Sequence, residues 1–195
     1  MSNQNQTASR GGVRRRVIGA ILACIAIAVV VGGVLFFNNR DDDKSNKADA
    51  ARLLAEGIAA QTSGDMTTAT AKFNEVIKND RQNKIAYYDL ALIQQQQNQT
   101  AQAETNYREA IRVDPAYAPA LYNLGIIRSS AGSKDEAVDL YTRATVADPQ
   151  SARAFLNLGL LLNSMGKGAE GKAALEKAVQ LEPDLASRIP AGQKP

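Results

Sequence analysis

The side chains that could carry covalent chemistry are scarce and poorly spaced for it. No histidine occurs in the 195 residues, which removes the commonest proton carrier and metal ligand. Zinc sites and histidine-based triads go with it. The single cysteine, Cys24, lies inside an uncharged apolar run, so an intrachain disulfide is excluded. Asp41-Asp42-Asp43 lack the spaced oxygen ligands of an EF-hand loop. The glycines form neither a P-loop nor a strand-linked dinucleotide fingerprint, and no carboxylate is tied by spacing to a nucleophile or a second carboxylate. The expectation is a protein with no catalysis, no cofactor, no metal and no small-molecule substrate. What remains is noncovalent chemistry, in which amides, phenols and hydroxyls form hydrogen bonds and aliphatic groups are buried.

The elements that hold those groups are marked by repetition. YNLGIIRSSAG at 122–132 returns as LNLGLLLNSMG at 156–166, 34 residues later. Gly64, Asn98, Gly132 and Gly166 share that spacing, as do Asp80, Asp114, Asp148 and Glu182. Pro115, Pro149 and Pro183 follow three of those acids. Phe73, Tyr107, Tyr141 and Leu175 form a bulky column, and Ala69, Ala103, Ala137 and Gly171 a small one. A fixed period of this length is the signature of stacked supersecondary units. Within one period, Leu121, Leu124, Gly125 and Ile127 predict a first helix with an apolar side. Gly132 supplies the positive φ that ends it. Ser133 and Glu136 predict a capping box for the second helix, whose buried face is Ala137, Leu140, Tyr141 and Ala144, and Asp148-Pro149 stops it. Four units are expected, at 50–83, 84–117, 118–151 and 152–185, after a charged linker over 38–49 and before a polar tail over 186–195.

The units resemble tetratricopeptide repeats. The third carries Leu121, Leu124-Gly125, Ala137, Tyr141, Ala144 and Pro149 at the family's positions. The second fits with Tyr87, Leu90-Ala91, Ala103, Tyr107, Ala110 and Pro115. Gly171 departs from the pattern in the fourth; Glu56, Val76 and Arg81 depart in the first. The resemblance implies an all-α fold, a right-handed superhelix of helix pairs, with a concave groove lined by first helices that accepts an extended peptide or a partner helix. By that resemblance the groove draws on Leu54, Ile58 and Gln61, then Tyr88, Leu92, Gln95 and Gln96. Pro119, Tyr122, Asn123, Ile126 and Ser129 continue it, followed by Arg153, Leu156, Asn157, Leu160 and Asn163. In the competing reading Tyr88 and Tyr122 pack against neighbouring repeats instead. The family's chaperone-gripping carboxylate clamp is poorly matched, because its positions hold Tyr88, Leu92, Asn123, Arg153 and Asn157 and supply too few cationic donors. Gln94–Gln99 is expected to end a first helix and face solvent, and the glycosylation sequon at Asn98 to serve as a turn.

A different element precedes the repeats. Val17 to Phe37 is uncharged over 21 residues, and as a helix would rise roughly 30 Å, enough to cross a bilayer core. A processed signal peptide is the main alternative, and it fits less well because the run is long and ends in FFNNR. A lipoprotein site at Cys24 fits worse, since thirteen uncharged residues follow it. Arg10, Arg14, Arg15 and Arg16 precede the span without an acid, which predicts a cytoplasmic tail over 1–16 and extracytoplasmic repeats. With those arginines set aside, the formal charge of +3 becomes −1 for the remainder, so nucleic acid is not an expected partner. Ala20, Cys24, Ala28 and Gly32 form a small-residue stripe that would suit a transmembrane homodimer face, or is ordinary small-residue content. The expected role is a single-pass, membrane-anchored interaction scaffold in a cell membrane, of bacterial type by composition, with a protein or peptide as its partner. The alternatives are a self-assembling structural module and a non-catalytic accessory subunit. Repeat stacks need a polar cap, and Leu175, Ala178, Val179 and Leu181 have few residues after them to supply one. Either a partner or the short tail covers that end.

Overall fold

The repeat spacing is realised as a ladder of antiparallel helices in the computed structural model, which describes residues 46–193. The first described helix, α1, is helical through 46–63, and α2 covers Met66–Asn79. Then come α3 (Lys84–Gln96), α4 (Thr100–Val113), α5 (Ala118–Ser130), α6 (Lys134–Ala147), α7 (Ala152–Ser164) and α8 (Gly168–Leu181). Two short 3₁₀ segments, Pro183–Arg188 and Ala191–Gln193, close the described chain. Among the described residues there is no strand and no helix long and apolar enough to cross a membrane. The span expected at 17–37 lies outside the described residues, as does the stripe of Ala20, Cys24, Ala28 and Gly32. The compact unit that carries the repeats begins at Asp49.

Turn chemistry explains two of the columns. Gly64, Gly132 and Gly166 take φ of 86°, 80° and 79°, and Asn98 takes the same left-handed region at 60°. Glycine enters that region without a Cβ penalty, and asparagine is the residue that tolerates it best after glycine. Asp80, Asp114 and Asp148 stand in extended backbone just after α2, α4 and α6. Each side chain accepts a hydrogen bond from the backbone N–H two residues on, at 3.0 Å, so the aspartate column is a set of turns built by the side chain itself.

The packing columns explain the rest. Phe73, Tyr107 and Leu175 are wholly buried and Tyr141 nearly so, with Ala69, Ala103 and Ala137 buried beside them. A Cβ on Gly125 would stand 2.6 Å from the Tyr141 ring, which is why this first helix carries glycine where it crosses its partner. In the fourth repeat the helices meet backbone to backbone. A Cβ on Gly171 would lie 2.9 Å from the Gly159 carbonyl oxygen and would strike the Asn163 amide. The departure at Gly171 therefore has a steric cause.

Two local expectations are corrected by long-range partners. Ser133 is the N-cap of α6, but its side chain makes no capping bond. It accepts from the Arg128 guanidinium at 2.9 Å instead. Glu136, the other half of the expected box, accepts from Arg128 and Arg108, each at 2.7 Å. Arg108 also reaches Glu104 at 2.9 Å, so four charges tie α4, α5 and α6 together. A multi-partner ion network outcompetes the weaker, local bond to a backbone N–H. The glutamine tract is likewise only partly solvent-facing. Gln94 accepts from the Asn106 amide at 2.8 Å and Gln95 from the Tyr107 hydroxyl at 2.8 Å, so both turn inward to join α3 to α4.

The C-terminal end is covered by the chain's own tail. Leu185 and Ile189 are each 3% exposed and pack with Ala152, Leu156, Leu175 and Ala178. Pro190 keeps the tail from continuing as a full helix, yet 3₁₀ turns suffice to lay two aliphatic side chains on α7 and α8.

Candidate functional site

First helices recur every second element, and the same positions recur on them. On α5 the Asn123 amide donates to the Tyr88 hydroxyl of α3 at 3.3 Å. One repeat on, the Asn157 amide of α7 donates to the Tyr122 hydroxyl of α5 at 3.2 Å. Tyr88 also packs edge-on against Tyr117 at 5.4 Å between centroids and tilted against Tyr107 at 5.9 Å. Tyr122 meets Tyr141 at 6.0 Å. The ring contacts lie within a repeat, whereas the two hydroxyl bonds stitch repeat to repeat, and the asparagines that occupy clamp positions spend a donor on them.

Asp89 holds the place in α3 that Asn123 and Asn157 hold in α5 and α7. Its partner in the same ladder would be Leu54, which has no hydroxyl. Desolvation without a compensating bond raises the Asp89 carboxyl to about 6. The folded state then holds a proton more firmly than the unfolded chain, so stability falls as pH rises from about 4 to about 6 and stays reduced above. Partial exposure screens the penalty, which leaves about 1 kcal/mol to be gained at neutral pH by Asp89→Asn. Urea unfolding of the two chains at pH 4 and pH 7 checks this: the gain is expected at pH 7 only, and an equal gain at both would sink the assignment.

Two clefts open beside this ladder. One, of about 510 Å³, lies between α5 and α7 and is lined by Tyr122, Ile126, Ser129, Asn157, Leu160 and Arg188, among others. Tyr141 and Ser164 also reach it. Burial raises the Tyr141 phenol to about 12, opposed by its hydrogen bonds with Asn157 and Ser129, so it is a neutral hydroxyl at any physiological pH. The second cleft, of about 540 Å³, is walled by Gln95, Ala101, Glu104, Ile126, Ile127 and Ala131 from α3, α4 and α5 with its following turn. Ile126 and Ser130 line both, so the clefts are neighbours along one face. Among the described residues, no group of three His, Cys, Asp or Glu is placed to hold a metal ion.

The residues expected on the groove are distributed unevenly. Tyr122, Ile126, Ser129, Asn157 and Leu160 come together in the α5–α7 cleft, and Gln95 joins the other. Tyr88 and Leu92 are half-buried against the central core, and Leu54 against the N-terminal one. Ile58 is exposed at 41%, and Arg153 is exposed. Leu156 is buried beneath Leu185 and Ile189, so it is a core residue rather than a groove residue while the tail is docked. Asn163 fills the space over Gly171 and donates to Gln193 of the tail at 3.5 Å. Arg188 was missed, because nothing in a tail outside the repeat period marks which way it folds. Ser130 and Ser164 were also missed, although their spacing of 34 residues beside Ser129 and Asn163 was a usable signal.

Comparison with known proteins agrees with this architecture. Tetratricopeptide repeat models match residues 88–152 and 152–185, together half of the chain. The chain belongs to the tetratricopeptide repeat family. The first helix pair falls outside the matched residues yet keeps the family's geometry, since a Cβ on Gly57 would stand 2.7 Å from the Phe73 ring as one on Gly125 would from Tyr141. Among solved structures it is similar to MamA, at 26% identity and a TM-score of 0.62 over 76% of this chain and 88% of that one. It is also similar to PilF of Pseudomonas aeruginosa, at 24% identity and a TM-score of 0.62 over 73% of this chain and 65% of that one. A third, the first repeat domain of Spaghetti (RPAP3), was solved bound to the HSP90 peptide SRMEEVD. It is 19% identical with a TM-score of 0.57 over 62% of this chain and 98% of that one. By sequence, no curated protein matches the chain.

Proposed function

We propose that the protein is a noncovalent interaction scaffold whose first-helix face receives an extended segment of a partner protein, held beside a membrane by residues 17–37. The observation that carries this reading is the pair of adjoining clefts sharing Ile126 and Ser130. They combine aliphatic walls with hydroxyl and amide edges, the mixture that anchors side chains while hydrogen-bonding a peptide backbone. That a protein of this fold holds a peptide is compatible with the reading, but the likeness extends to the fold alone, and the clamp residues are mostly missing here. The anchor is supported by the uncharged stretch over 17–37 and the four arginines before it. A second copy is not needed to cover the C-terminal end, because Leu185 and Ile189 cover it.

Crosslinking in native membranes followed by mass spectrometry tests the scaffold role. Ile126→Arg is expected to reduce the recovered partner by about tenfold, whereas Val146→Arg is expected to leave it unchanged, since Val146 is 75% exposed on α6 and lines neither cleft. Equal recovery with both variants counts against the first-helix face. Carbonate extraction tests the anchor independently: the full chain should stay with the membrane and a chain beginning at residue 41 should be released.

A further inference from the structure

We propose that the segment received by the two clefts is acidic, with an apolar side chain in the α3–α5 cleft and a carboxylate in the α5–α7 cleft facing Arg188. The inference rests on the peptide-binding reading and names the chemistry of its ligand. Its basis is the unequal charge of the two clefts. In the α3–α5 cleft the one charged residue, Glu104, is already neutralised by Arg108 and Arg128. What it leaves for a ligand is Ala101, Ile126, Ile127 and Ala131, surfaces that gain by burying an aliphatic group. The α5–α7 cleft has no carboxylate in its lining and one guanidinium, that of Arg188. Arg188 makes no hydrogen bond or ion pair among the described residues, although the residues on either side of it hold the segment in place. Lys134 adds a second cation at the rim, donating to the Ser164 hydroxyl at 3.3 Å.

An unpartnered guanidinium, carried on a segment anchored by Leu185 and Ile189 at the mouth of a cleft lined by serine hydroxyls, favours a carboxylate, which accepts two parallel bonds from it. A basic segment would meet two cations with no counter-charge. A neutral one would leave Arg188 partly desolvated without a partner, which opposes binding.

Fluorescence anisotropy on the full-length chain decides the point with two labelled peptides. Each places one leucine in a glycine–serine background; one also carries two glutamates and the other two glutamines. The glutamate peptide is expected to bind about tenfold more tightly. Arg188→Gln should erase that preference while keeping the urea midpoint, because the side chain it replaces makes no intramolecular bond. Equal binding of the two peptides, lost with Ile126→Arg, would overturn the acidic preference and leave the peptide-binding reading standing. A preference that survives Arg188→Gln would overturn the role given to Arg188. No anisotropy change with either peptide at protein concentrations up to about 1 mM overturns the inference and the reading beneath it.

Discussion

Replacing Leu185 and Ile189 together by alanine is expected to cost about 3 kcal/mol and to loosen the last repeat. Each side chain is 3% exposed against α7 and α8, and burying one such aliphatic group stabilises by about 2 kcal/mol. The sum is not reached, because a tail that lets go regains conformational entropy. Its departure wets Leu156 and Leu175, which lie beneath it. In a linear stack an end effect is passed inward through one interface at a time. Hydrogen exchange should therefore show lost protection over 172–181 first, with α3 and α4 little changed, and the urea midpoint should fall. Unchanged protection in α8 would mean that the tail contributes no cover. The same variant should also weaken binding of an acidic peptide, since Arg188 sits between the two anchors.

Tyr107→Ala is expected to be the most damaging single substitution in the central repeats, at about 4 kcal/mol. The ring is wholly buried in the cluster formed by Tyr87, Ala91, Leu121 and Leu124, and deleting a buried aromatic ring loses its burial and leaves a cavity that rigid helices fill poorly. The phenol adds a second loss, for it donates to Gln95 at 2.8 Å. Tyr107→Phe isolates that part and should cost about 1 kcal/mol. Because Gln95 lines the α3–α5 cleft, the phenylalanine variant should also alter peptide binding while the fold persists. Equilibrium unfolding of both variants, with anisotropy on the phenylalanine one, checks the pair. A loss below about 2 kcal/mol for the alanine variant would contradict the packing described.

Much of the fold was legible because repeat packing is written in residue size at fixed spacing. Gly125 against Tyr141, Ala137 beside it and Gly132 in the turn each answer a requirement of the local backbone or of the nearest helix. Such requirements recur every 34 residues and leave columns. The candidate site was legible only in part. Tyr122, Ile126, Ser129, Asn157 and Leu160 fall in one cleft because they occupy equivalent first-helix positions. Leu156 and Asn163 occupy such positions too, yet the tail and Gly171 claim them.

By itself the sequence determined the helix pairs, their turns and their small-against-large contacts, since these depend on residues a few positions apart or one period apart. Only the tertiary structure decided the partners of the polar groups. Glu136 chose Arg108 and Arg128 over its own helix end, Asn123 chose Tyr88 of the preceding repeat, and Asp89 was left with none among the described residues. The tail supplied both the cover over Leu175 and the cation in the cleft. A polar side chain takes the strongest partner within reach, and reach across a stack is set by how the helices pack, not by how the residues are spaced.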